Sequence, residues 1–313
     1  MNDGFLGVLR LSLVALQNIS FAVLVGALLS DRWVSRSTSR WQASVSGRLL
    51  LTFRIASFTA LVSSAFAFWI HCALMSESTL GEAGPAVRSM LVETDFGHAW
   101  LAVAGVMLVT IILSVVQSRG PIRFKAALGL TLVAAALARS HGGHPIDAGA
   151  FSLPVWVDWV HLLAISAWVG LVLVATYVVV PRISRAPAAE RANTATFIQS
   201  LSDAATFALA ILVITGAYSG WRGVNAPEYL LTSVYGRVLL LKLALVGIAA
   251  ALGGHNRFFG MPQLLPSLRE ASSEFAARPL KRFAAVLHVE SIVLAGVLVT
   301  AAVLVSSPLP GTT

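Results

Sequence analysis

Cysteine is almost absent from this sequence, since Cys72 is the one cysteine among 313 residues. A single thiol cannot form an intramolecular disulfide or a CxxC pair for metal or redox chemistry. Charged residues are also scarce: they make up 12% of the chain, against about 25% in soluble globular domains. Hydrophobic residues account for 57%. This composition excludes an ordinary soluble domain and predicts an integral membrane protein.

Several motifs of membrane enzymes and pumps are missing as well. The sequence contains no ATPase P-loop, no nucleophile elbow and no HExxH zinc signature. We therefore expect neither an enzyme nor an ATP-driven pump. The net charge of +8 is better explained by arginines in cytoplasmic loops than by nucleic acid, which is not an expected partner. The first residues lack the basic region and cleavage site of a signal peptide, so we expect the first apolar stretch to be retained.

Eight stretches reach the roughly 20 apolar residues that a membrane-spanning helix needs. They are residues 5–29, 49–75, 98–117, 122–139, 153–180, 204–221, 235–253 and 282–306. Basic residues concentrate in alternate loops, such as 30–48 and 182–191, and acidic residues in the others, such as 77–95. Because basic loops stay in the cytoplasm, both termini are predicted to be periplasmic.

The predicted fold is an all-α membrane protein, a polytopic bundle of eight transmembrane helices. A single transmembrane domain covers 1–313, with spans one to four in its N-terminal half and spans five to eight from about residue 153. We expect the segment 254–280, with its prolines and charges, to be a solvated linker.

The most polar stretch of the chain begins after the fourth predicted span and continues into the fifth. It holds His141 and His144 in a His-Gly-Gly-His segment, followed by Asp147, Asp158 and His161. Imidazole is a common ligand of copper, and glycines let the backbone fold around an ion. We expect the three histidines to be metal ligands, with the two aspartates in support. The alternatives are a polar turn without metal and, for Asp158 and His161, a hydrogen-bonded pair between helices.

A second group of candidates lies around the loop between spans two and three. His71 and Met75 are four residues apart on one helix face, where they form a nitrogen–sulfur pair suited to reduced copper. We expect these two residues and His98 to capture copper at the outer face, with Cys72 and Met90 nearby. The alternative is plain packing, with the cysteine as a small buried residue and the methionines filling gaps.

The last predicted span contains His288 and Glu290, about two turns from its inner end. An ionisable residue inside a membrane segment is a functional candidate by default. We expect His288 to be a further metal ligand, with Glu290 and Lys242 supporting it. The alternative is a buried ion pair that joins Glu290 to Lys242 or to Arg54.

Several short segments after residue 153 form a pattern when they are taken together. They are His161-Leu-Leu-Ala-Ile-Ser-Ala-Trp168-Val-Gly170, Thr215-Gly216-Ala-Tyr-Ser-Gly-Trp221, Tyr235-Gly236-Arg237-Val-Leu-Leu-Leu-Lys242, Asn256-Arg257, and the Glu290 span with its Ser306-Ser307-Pro308 end. In these segments the chain resembles the copper resistance protein D (CopD) family. The N-terminal half resembles the family mainly in its number of spans. The family motif carries over to His161, Trp168, Gly170, Arg237 and Lys242.

The resemblance implies a multi-pass protein of the bacterial inner membrane that handles copper, as Cu(I) or Cu(II), and moves it from periplasm to cytoplasm. It also implies a periplasmic CopC-like partner, which we expect to be a separate protein. Our interpretation is a transporter that binds copper at the periplasmic face and imports it along a path of histidines. The alternatives are a haem-binding membrane oxidoreductase, a cytochrome or metal reductase, with haem between His161 and His288, and a copper sensor or scaffold that transports nothing.

Overall fold

A computed structural model describes residues 3–34, 39–116, 122–143, 149–224, 226–269 and 277–307. Across these ranges the chain is helical and contains no strand, so the all-α prediction is confirmed. The helices are α1 (Asp3–Val34), α2 (Arg40–Met75), α3 (Gly84–Glu93), α4 (Asp95–Val116), α5 (Ile122–Ser140), α6 (Leu153–Val174), α7 (Val180–Ile183), α8 (Ala188–Val224), α9 (Tyr229–Thr232), α10 (Val234–His255), α11 (Met261–Arg269) and α12 (Ala277–Val305).

Seven of the described helical segments are long and apolar enough to cross a membrane. They contain α1, α2, α4, α6 with α7, α8, α10 with α11, and α12. The helix α5 matches the fourth predicted span in position. Its 19 residues include Arg123, Lys125 and Arg139, which is why it falls short of the apolar composition of the others.

Two π-helical turns interrupt otherwise continuous helices. Residues Ala175–Val179 join α6 to α7, and Asn256–Gly260 join α10 to α11. The second turn contradicts the prediction of a solvated linker after residue 254, because the helix continues to Arg269. Met261, Leu264 and Leu268 recur along α11 at helical spacing and are buried, so this segment packs against the bundle.

The helix α6 lies at the centre of the protein, where it packs against α1, α5, α8 and α12. Its closest approach is to α1 and depends on two glycines. A Cβ atom on Gly170 would lie 1.8 Å from the carbonyl oxygen of Ala22, and one on Gly26 would lie 2.1 Å from the carbonyl oxygen of Gly170. Small residues let membrane helices approach closely. Gly170 therefore serves the packing that fixes α6 in place.

Candidate functional site

A cavity of about 530 Å³ opens between α6, α8, α10 and α12. Most of its lining is apolar. Its ionisable side chains are His161 from α6 and Tyr235 and Lys242 from α10. We call this space the His161 cavity.

The orientation of His161 is fixed by Thr215 on the neighbouring helix α8. His161 Nδ1 lies 2.9 Å from Thr215 Oγ1, and the threonine hydroxyl lies 2.8 Å from the carbonyl oxygen of Ile211. A hydroxyl has one hydrogen, and here it goes to the Ile211 carbonyl, so the imidazole must donate from Nδ1. The free lone pair of a neutral His161 is consequently on Nε2. A metal-binding histidine is held in the same way, with its other nitrogen donating to an oxygen.

A group of charged side chains lies beside this cavity. Asp158 on α6 lies close enough to Arg139 and Lys242 for its charge to interact with theirs. Arg139 donates from Nη2 to Asn18 Oδ1 at 2.5 Å. The group draws on α1, α5, α6 and α10. The hydrogen bond that orients His161 is accepted by Thr215 and does not involve Asp158.

A second cavity, of about 250 Å³, lies further along the same four helices, with residues from α11 also in its lining. We call it the Glu290 cavity, after the carboxylate on α12 that faces it. Glu290 is 2% exposed, and its Oε1 accepts a hydrogen bond of 3.3 Å from Trp168 Nε1 on α6. Asn256, 4% exposed and placed at the start of the π turn, shares the lining. The predicted ion pairs of Glu290 with Lys242 or Arg54 do not form: Lys242 faces Asp158, and Arg54 donates to the carbonyl oxygen of Ser114.

The two cavities follow one another along the bundle. On α6, Ile165 lines the first cavity and Trp168 the second, so less than one helical turn separates them there. On α12, Glu290 lines the second cavity and Val297 the first, with the fully buried Leu294 between them. The two cavities are therefore neighbours between the same four helices, with a thin apolar layer between them.

The His-Gly-Gly-His segment is only partly within the described residues. His144 and Asp147 lie outside them. His141 ends α5, with Nδ1 2.9 Å from the carbonyl oxygen of Leu137 and Nε2 3.0 Å from that of Ala150. Both ring nitrogens thus face carbonyl oxygens. In this conformation His141 has no free lone pair directed at a metal.

The predicted capture residues each have surroundings of their own. His71 Nδ1 lies 3.0 Å from Nη1 of Arg10, Met75 is exposed, and His98 Nε2 lies 3.1 Å from the carbonyl oxygen of Val92. The structure instead brings two other sulfur atoms together, since Cys72 Sγ and Met90 Sδ are 3.5 Å apart.

His288 lies apart from His161. It is exposed, and its ring packs edge-on against Tyr177 with 5.5 Å between the ring centres. Tyr177 follows His161 by 16 residues on α6, which is about 24 Å along a helix. Among the described residues, no three His, Cys, Asp or Glu side chains come close enough to hold a metal ion.

Comparisons with known proteins support the resemblance noted in the sequence. The family model "Copper resistance protein D" matches residues 195–304, and "Copper resistance protein D-like, N-terminal domain" matches residues 1–153. The chain is 26% identical over 294 residues to copper resistance protein D of Pseudomonas syringae pv. tomato, covering 87% of this chain and 88% of that protein. The chain belongs to the copper resistance protein D family. No solved structure matches it.

The family match extends further than the sequence patterns indicated, because it includes the N-terminal half. Of the residues that carried the resemblance, Trp168 and Gly170 now have structural roles, as the partner of Glu290 and at the crossing with α1. Lys242 lines the His161 cavity, whereas Arg237 is exposed and lines neither cavity. Thr215 belongs to the resembling pattern, but spacing alone does not predict that its hydroxyl meets a histidine 54 residues earlier. The sequence likewise did not predict that Asn256 lines a cavity, because this residue lies in the segment that we predicted to be a linker.

Proposed function

We propose that this member of the copper resistance protein D family is a copper transporter of the bacterial inner membrane, and that it admits copper from the periplasm through the His161 cavity. The observation that carries the proposal is the His161 imidazole, whose Nδ1 is held by Thr215 so that Nε2 is available as a ligand in a cavity of about 530 Å³. Copper(I) and copper(II) both accept imidazole nitrogen. Delivery by a separate periplasmic CopC-like protein is part of the proposal.

The proposed orientation places both termini and the His161 cavity on the periplasmic side, since the arginine-rich loops belong in the cytoplasm. It requires α5 to be an eighth membrane crossing. Two contacts with α1 support this: Lys125 Nζ lies 2.5 Å from Asp31 Oδ2, and Arg139 reaches Asn18. Arg139 follows Lys125 by fourteen positions, which is about 21 Å of helix, and the order of the two contacts makes α5 antiparallel to α1. That length covers most of a hydrocarbon core of roughly 30 Å.

The proposed mechanism is passage of copper by ligand exchange between weak sites. The His161 cavity offers one imidazole, and the neighbouring charges of Arg139, Lys242 and Asp158 sum to +1, which opposes tight binding of a cation. Conduction needs such weak binding, because an ion that binds too tightly does not leave. The apolar layer between the two cavities would then be the gate, which opens to let copper reach the Glu290 cavity. The route uses no chemical step, so no enzymatic activity is proposed.

The haem alternative required His161 and His288 to face each other at a similar depth. His161 lies at its cavity on α6, whereas His288 on α12 packs against Tyr177, 16 residues further along the chain, and this separation does not favour haem between them. A visible absorption spectrum of the purified protein separates the two functions. Copper transport without haem predicts no Soret band, whereas a Soret band at full occupancy would support the oxidoreductase.

Copper uptake into proteoliposomes tests the proposal. We expect the wild type to load copper and His161→Ala to lose nearly all uptake while keeping its melting temperature. His255→Ala is the matched control, because His255 is exposed and lines neither cavity. Unchanged uptake by His161→Ala would contradict the proposal. Copper binding by the wild type without uptake would instead support a sensor or scaffold.

A further inference from the structure

Glu290 and Asn256 are two buried polar side chains that line the Glu290 cavity, and neither is fully satisfied by protein contacts. The only donor to Glu290 in the described part of the chain is the Trp168 indole, at 3.3 Å from Oε1, which leaves Oε2 without a partner. Asn256 donates from Nδ2 to the carbonyl oxygen of Phe283 at 3.3 Å, and its Oδ1 is buried with no partner. Buried oxygens are nearly always paired. Asn256 Oδ1 is therefore a buried oxygen that lacks a partner among the described residues, and Glu290 Oε2 in the same cavity lining makes no hydrogen bond to them. These two oxygens indicate that a group from outside the protein binds between them.

The atoms that line the cavity indicate which class of ion it would bind. Two oxygens from carboxylate and amide are hard ligands, which suit hard cations rather than copper. Among the described residues that line the cavity there is no histidine and no cysteine, and Met261 supplies the one sulfur atom.

The net charge of the side chains that line the cavity favours a monovalent cation. Arg257 also reaches the cavity, but its Nη1 is bound to Ser202 Oγ at 2.8 Å and to Asp203 Oδ1 at 2.9 Å. This ion pair is neutral overall. Ionised Glu290 then adds one negative charge to the lining, which one monovalent cation balances.

The backbone beside the two side chains departs from a regular α-helix. Asn256 begins a π-helical turn, and such turns occur frequently at functional sites. Gly253, one turn earlier, leaves the carboxylate accessible, since a Cβ atom there would lie 3.1 Å from Glu290 Oε1. Irregular backbone within a membrane protein is tolerated where it lines a cavity. In many transporters, coupling ions are bound at helix irregularities of this kind.

We propose that the Glu290 cavity is a binding site for a small, hard, monovalent cation, with Glu290 Oε2 and Asn256 Oδ1 as its ligands and water completing the shell. The site is distinct from the copper site at His161, and its existence does not depend on copper transport. If copper crosses the bundle as proposed above, this ion lies on the same route beyond the apolar layer.

Sodium is the probe for the test, applied to the full-length protein in detergent with copper removed by a chelator. We compare the melting temperature in sodium chloride with that in N-methyl-D-glucamine chloride at equal ionic strength. A ligand that binds only the folded state raises the melting temperature, and saturating sodium should do so by about 2 °C or more in the wild type. Glu290→Gln keeps the size of the side chain and should abolish the shift. Gly253→Ala should reduce it, because the added methyl group occupies the space beside the carboxylate.

Gly247→Ala is the matched control on the same helix, since a Cβ atom there meets nothing within 4 Å, and it should keep the full shift. Tryptophan fluorescence gives a second readout, because Trp168 touches the proposed ligand. Sodium should change the emission of the wild type and leave that of Trp168→Phe unchanged.

Equal melting temperatures of the wild type in the two salts would overturn the proposal, and so would a full sodium shift in Glu290→Gln. If Glu290→Gln does not fold, Gly253→Ala decides: a full sodium shift in that variant rejects the site. No copper is present, so failure here leaves the proposed copper transport untouched. Failure of copper uptake likewise leaves this site intact.

Discussion

His161 on α6 and Thr215 on α8 form a hydrogen bond of 2.9 Å in which the imidazole is the donor. The direction follows from the threonine hydroxyl, whose hydrogen is directed at the Ile211 carbonyl oxygen. This bond holds the ring at the wall of the His161 cavity and determines which nitrogen can bind a metal. It makes Thr215 a positioning residue in the proposed copper site.

Thr215→Val should weaken copper binding by about 10- to 100-fold, the usual effect of losing the partner that orients a metal-binding histidine. Valine has nearly the same shape as threonine but cannot accept the Nδ1 hydrogen. Thr215→Ser keeps the hydroxyl and should bind copper nearly as the wild type does. Competition with a copper chelator in detergent measures the affinity. Equal affinities of the valine and serine variants would show that the hydrogen bond has no role in binding.

Asp158→Asn should destabilise the protein, because it removes the negative charge that lies near Arg139 and Lys242 inside the bundle. The loss of a buried ion pair costs on the order of 3–5 kcal/mol, which is the upper limit expected for this longer-range interaction. The matched control is Asp203→Asn, since its carboxylate is 54% exposed in its pair with Arg257 and should contribute less than about 1 kcal/mol. Unfolding in a denaturing detergent compares the two variants. Similar stabilities would contradict the role given to Asp158.

Gly170→Ala should lower the free energy of unfolding by about 1–3 kcal/mol, the range for overpacking a close-packed site. The added methyl group would meet the Ala22 carbonyl, and that contact is backbone, which cannot rotate away. Gly105→Ala on α4 is the control, because a Cβ atom there meets nothing within 4 Å. A Gly170→Ala variant as stable as Gly105→Ala would mean that α1 and α6 are further apart than the structure has them.

Cysteine labelling tests the eight-span topology. In a Cys72→Ala background, the exposed residues Val116 and Phe151 are each replaced by cysteine, one before α5 and one after it. If α5 crosses the membrane and the termini are periplasmic, a membrane-impermeant maleimide should label residue 151 from the periplasm and residue 116 only after the membrane is opened. Labelling of both from the same side would show that α5 does not cross.

Seven of the eight predicted spans coincide with helical segments that are long and apolar enough to cross a membrane, because a long apolar run acts at the level of a whole segment. The continuation of α10 into α11 was missed because Pro262 and Pro266 suggested a break. Pro262 lies just after the π turn Asn256–Gly260, and the buried Leu264 and Leu268 pack the helix beyond it against the bundle.

The candidate site was predictable only in part. His161 and Lys242 were both singled out from sequence, and the structure brings them to one cavity. Sequence spacing gave Asp158 as the neighbour of His161 because the two share a helix face. The actual partner, Thr215, comes from another helix. Contacts between helices depend on how the helices are rotated against each other, and one sequence carries no direct record of that rotation.

The most direct test of copper entry at His161 is a structure of the copper-loaded protein with anomalous scattering measured at the copper edge. If copper enters at His161, a copper peak should appear in the His161 cavity, within bonding distance of Nε2, and no such peak in His161→Ala. Copper bound elsewhere in the wild type, with the His161 cavity empty, would contradict entry at His161.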